Sequence, residues 1–73
     1  MNIAETKAHF IDSINDYVMA REYINHVPRV GEELRFHAEF LYRVIKVVHI
    51  YDERLPRVDI GCEKIDLEED HES

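Results

Sequence analysis

Apolar residues in the first third of the chain fall at helical spacing. Ile3, Phe10, Ile14 and Tyr17 lie on one stripe, which Ile11 and Val18 widen. Glu5, His9, Asp12 and Asp16 share the opposite side. Asn2 followed by Glu5 has the spacing of a capping box, with Asn in place of Ser or Thr. Asn25 suits a helix end, and Pro28 bars continuation soon after. The pattern predicts one amphipathic helix from about residue 3 to about residue 24.

Beyond Pro28 the period changes from helical to alternating. Val30–Gly31–Glu32–Glu33–Leu34 reads as a turn feeding a strand, in which Leu34 and Phe36 alternate with Arg35 and His37. His37–Ala38–Glu39 makes a short connection. Residues 40–51 (FLYRVIKVVHIY) are β-branched and aromatic, with no Pro or Gly, and predict a long strand. Residues 52–56 read as a loop. Val58, Ile60 and Cys62 then alternate with Asp59, Gly61 and Glu63 as a third strand. The expected fold class is α+β: an N-terminal amphipathic helix followed by a three-stranded, antiparallel, strongly bent sheet.

The long strand poses a packing problem, because both of its faces are mostly apolar. At about 3.3 Å per residue it would span roughly 40 Å, so it must bend, carry a bulge, or be covered on both sides. One helix covers one face. The sheet could curl toward a half-barrel, with Gly61 relieving the bend. Alternatively, a second copy of the chain could cover the rest, and free sheet edges favour that choice. A homo-oligomer, most simply a dimer, is therefore expected. Val30–Gly31–Glu32–Glu33 resembles the opening turn of small SH3-like barrels. Such a barrel needs about five strands and the pattern supplies three, so one protomer is not expected to close.

Size and charge narrow the function classes. Seventy-three residues give one core, expected over residues 1–66, with residues 67–73 as an acidic tail outside it. The formal charge of −7 is unevenly placed. Residues 1–58 hold nine acids and eight bases; residues 59–73 hold seven acids and only Lys64. A nearly neutral body argues against nucleic acid as a partner. No apolar run approaches the roughly 20 residues that cross a bilayer, so no membrane partner is expected. The N-terminus lacks the basic and apolar regions of a signal peptide, and Cys62 is the only cysteine. A cytoplasmic protein is the expectation.

Candidate chemistry is sparse. The histidines at 9, 26, 37, 49 and 71 match no metal-ligand spacing. Glu5, His9, Asp12 and Asp16 on one helix face are the only arguable ion site, and a solvated face explains them more simply. No metal, cofactor or catalytic residue is assigned. Arg43, His49, Tyr51 and His37 are the candidate interface or ligand-facing set, His and Tyr being acid–base groups that a hairpin can bring together. No nucleophile is spaced to join them, so a non-enzyme is favoured. Cys62 reads as a small buried hydrophobe. Arg35, Arg43 and Arg57 read as partners of Glu33, Asp59 and Glu63 rather than of phosphates.

The segments PRVGEELRF, FLYRVIKVVHIYDE and PRVDIGCEKI span residues 28–65. Together they resemble a recurring pattern in small uncharacterised bacterial accessory proteins of mobile DNA: phages, plasmids and integron gene cassettes. Its marks here are Pro28, Val30, Gly31, Glu32, Tyr42–Arg43–Val44, Tyr51–Asp52–Glu53 and Arg57–Val58–Asp59–Ile60–Gly61. The resemblance implies a compact accessory protein that works by binding. The resulting expectation is an oligomeric module that binds another protein. The alternative is a small-ligand binder or simple acid–base enzyme with an interface pocket.

Overall fold

The helical stripe at the N-terminus folds as a β-hairpin. The computed structural model describes residues 5–51, 54 and 56–65, and it holds five strands with no helix among them. These are β1 (Thr6–Asp12), β2 (Tyr17–Ile24), β3 (Glu33–Phe36), β4 (Phe40–Ile50) and β5 (Arg57–Lys64). The expected α+β class, with a helix and three antiparallel strands, is thus corrected to all-β. The missing two strands of a five-stranded sheet come from residues 6–24. Asn2 of the capping-box pair, parts of the 52–56 loop and the tail at 67–73 lie outside the described residues.

The local reason is the Asp12–Ser13–Ile14–Asn15–Asp16 run. Asp12 Oδ1 accepts the N–H groups of Ile14 (3.0 Å) and Asn15 (2.9 Å), and its Oδ2 accepts the Asn15 side-chain amide at 3.2 Å. The Asp16 N–H donates to the Asp12 carbonyl, with Asp16 at φ 64°, a left-handed conformation that Asp tolerates. A carboxylate that gathers three donors in this way closes a turn and stops a helix. Ile14, counted in the helical stripe, is 69% exposed at the loop tip. The inward positions of β1 are Ala8, Phe10 and Asp12, a period of two.

The strand order is β2-β1-β5-β4-β3, so β5, the last strand in sequence, lies at the centre. It pairs parallel with β1 and antiparallel with β4; the β1–β2 and β3–β4 pairs are antiparallel hairpins. Val58, Ile60 and Cys62 of β5 are wholly buried, as are Ala8 and Val44, with Phe10 and Tyr42 beside them. Full burial of side chains like Ile60 and Val44 stabilises by about 1.5–3 kcal/mol each, a large share for so small a domain. The segment after β2 crosses from one edge of the sheet to the other, and its Val27 packs on the same core. Gly31, at φ 101°, makes the turn into β3, where the Glu32 carboxylate accepts the Arg29 N–H at 3.2 Å.

The long strand solves its two-faced pattern with a bulge. Val44 pairs with Cys62 and Lys46 with Gly61, leaving Ile45 as the extra residue. Before the bulge the even residues Tyr42 and Val44 face the core; after it, the odd residue Val47 does. A Cβ on Gly61 would lie 2.7 Å from Ser13 Oγ and 3.4 Å from Lys46 Cβ, so this glycine lets the hairpin loop close over the bend. A second bulge sets Met19 between Val18 and Ala20 of β2. Both bulges curl the sheet, and the result is a half-barrel. Ile45 and Val48 remain 39% and 40% exposed on its convex side.

Candidate binding groove

The concave side of the half-barrel opens between its two edge strands. There Tyr17–Glu22 of β2 face the Arg35–Phe40 hairpin turn across a groove of about 780 Å³. That volume lies in the ordinary range of ligand sites. Asp12, Tyr42 and Lys64 line it between these walls.

The floor is aromatic and stiff. Phe36 meets Phe10 edge-on at 5.7 Å and Tyr42 edge-on at 5.5 Å. Phe40 stands at the rim with Lys64 Nζ 4.8 Å above its ring. Tyr42 is held protonated above its ordinary value, first by burial and then by the neighbouring Tyr17 and Asp12. The Asn15 N–H leads in holding Asp12 below the usual carboxylate range. Burial opposes that, while the Asn15 side chain, the Ile14 N–H and Lys64 reinforce it. The groove therefore holds an ionised carboxylate at Asp12 and a protonated phenol at Tyr42, beside the side chains of Tyr17 and Lys64.

Of the candidate interface set Arg43, His49, Tyr51 and His37, only His37 reaches this groove, from the β3–β4 turn. Arg43 lies on the convex side, its guanidinium 3.6 Å from Glu33 and 4.0 Å from Glu63. His49 and Tyr51 stack on each other, centroids 6.1 Å apart and planes 12° from parallel, at the far end of β4. Six residues separate Arg43 from His49, roughly 20 Å along a strand. The four do not converge. The residues that do, Asp12, Tyr17, Phe40 and Lys64, belong to four different strands. The sequence reading put Asp12 and Tyr17 on a helix; the turn chemistry of Asp12 with Asn15 is the signal that could have placed the first of them.

The arguable ion site disappears with the helix. On a strand, His9 points to the convex face and Asp12 to the concave one, and among the described residues no group of three or more metal-ligating side chains forms. His9 instead sits against β5, Nδ1 4.0 Å from Asp59, which also accepts from Arg57 at 2.8 Å. The buried His9 Nε2 has no hydrogen-bond partner among the described residues. Burial first, then Arg57, lowers the His9 pKa, with Asp59 opposing. Cys62 is buried and its thiol is pushed up to about 11, which makes it inert.

No family model, curated protein or solved structure matches the chain. Among the described residues no helix is long and apolar enough to cross a membrane.

Proposed function

We propose that the protein is a binding module that takes an extended segment of a protein partner in the groove. The observation that carries this reading is a groove bounded by two strands, β2 and β3, that each have only one neighbour in the sheet. A free strand edge offers unpaired N–H and C=O groups to an incoming strand. The aromatic floor offers apolar contact to every second side chain of that strand. Asp12 and Lys64, of opposite charge, give it direction. An accessory role on mobile DNA accords with this reading, through the resemblance of residues 28–65.

The test is a peptide selection against the immobilised full chain, followed by titration of the selected peptides into labelled protein. Amide shifts should cluster on β2, the β3–β4 turn and Lys64, and Tyr17→Ala and Phe40→Ala should each weaken binding about tenfold. Shifts clustered at His49 and Tyr51, or wild-type affinity in both variants, would contradict the groove.

A further inference from the structure

We propose that two copies of this chain join through their β3 edges, antiparallel, about a two-fold axis at Leu34. On the convex face, directly opposed residues of β5, β4 and β3 form a row of alternating sign: Glu63, Arg43 and Glu33. The row breaks off at Glu33 because β3 is the sheet edge. Two residues further along that edge, at the alternate position, stands Arg35, whose guanidinium donates to the Ala38 carbonyl at 3.4 Å and makes no ion pair among the described residues. Glu33 and Arg35 are both exposed.

The geometry of symmetric pairing makes this spacing matter. A two-fold axis normal to an antiparallel sheet keeps each residue on its own face, so a residue must oppose itself on the axis. Centred on Leu34, the register sets Glu33 opposite the partner subunit's Arg35 and Arg35 opposite the partner subunit's Glu33. The row then continues as minus, plus, minus, plus across four strands. Centring on Glu33 or Arg35 would set like charges on the axis. The other free edge lacks this property. Its ladder is broken at Met19, and the middle positions of the regular stretch, Arg21 and Glu22, would each face their own copy. The sequence Glu–Leu–Arg on β3 is self-complementary; Arg–Glu on β2 is not.

A four-residue edge is a small interface, so the dimer is weak, with Kd on the order of 100 µM. The dimer takes the β3 edge, one of the two that bound the groove, and leaves the β2 edge with Tyr17 to the partner strand, so variants at Arg35 and at Tyr17 test the two readings separately.

Sedimentation of the full chain from about 10 µM to 1 mM should show a monomer–dimer equilibrium. Arg35→Glu and Glu33→Arg should each weaken it roughly tenfold or more by opposing like charges twice. An equimolar mixture of the two variants should recover dimer, since each then presents the charge the other lacks. Leu34→Cys, on the axis, should form a disulfide-linked dimer under glutathione disulfide, whereas Arg35→Cys should not. A heteronuclear spectrum with wild-type dispersion confirms that each variant is folded. A chain that stays monomeric at 1 mM overturns the proposal. So does a dimer that Arg35→Glu leaves intact, or charge variants that fail to recover on mixing.

Discussion

Among the described residues three non-glycine positions carry positive φ: Asp16, His37 and Ala38. The last is the telling one, because alanine has no side-chain hydrogen bond to offset the left-handed conformation at φ 64°. Ala38→Gly relieves that strain by about 1–2 kcal/mol and adds freedom to the unfolded chain. It should leave a net gain of about 0.5–1 kcal/mol in a urea melt. His9 gives the pH dependence. Its folded pKa lies below 6.5, so the unfolded chain binds the extra proton first. Its share of stability is present above pH 6.5 and is lost as pH falls through the lowered folded value. His9→Phe should flatten the urea midpoint across that window, with the steeper acid loss below pH 4 unchanged. Asp12 belongs to that second window, because its folded pKa lies below 3.8 and its contribution vanishes on protonation.

At the scale of elements, β3, β4 and β5 were legible from alternation and β-branching, to within a residue of their observed limits. A bulge in β4 was one of the three ways out that its two-faced pattern left open, and it is the one the strand takes. Hydrophobic period failed over residues 6–24 because Phe10, Ile14 and Tyr17 fit a helix by coincidence. One of them faces the core, one sits on a loop, and one lines the groove. The turn chemistry of Asp12 and Asn15 outweighs the period, since its hydrogen bonds are local and satisfied. Asp12→Ala should therefore lower the melting temperature clearly more than Asp16→Ala, whose side chain makes no such contact among the described residues. The groove was illegible for a related reason. Its walls come from β2, which was read as helix, and from the β3–β4 turn. Only the strand order brings them face to face.

For the whole molecule, stability centres on β5, which binds the two hairpins into one sheet and carries three of the four largest fully buried side chains among the described residues. Ile60→Ala removes a fully buried side chain at that junction and should cost about 2–5 kcal/mol by denaturant titration, enough to leave a domain of this size partly unfolded. Val48→Ala, on the convex side and 40% exposed, should cost well under half of that. The contrast separates a one-sided core from a sheet that hides both faces. The bulge at Ile45 already explains most of the two-faced pattern of β4, so self-association is argued from the β3 edge rather than from uncovered apolar area. The parallel β1–β5 pairing remains the hinge of the account, because without it neither the half-barrel nor the groove exists. Nuclear Overhauser contacts in labelled protein test it directly. Phe10 should show amide and α-proton contacts to its neighbours across Ile60 in the parallel pattern, and to Ala20 in the antiparallel one. Sequential helical contacts three residues apart through residues 6–24, with no contact from Phe10 to β5, would contradict it.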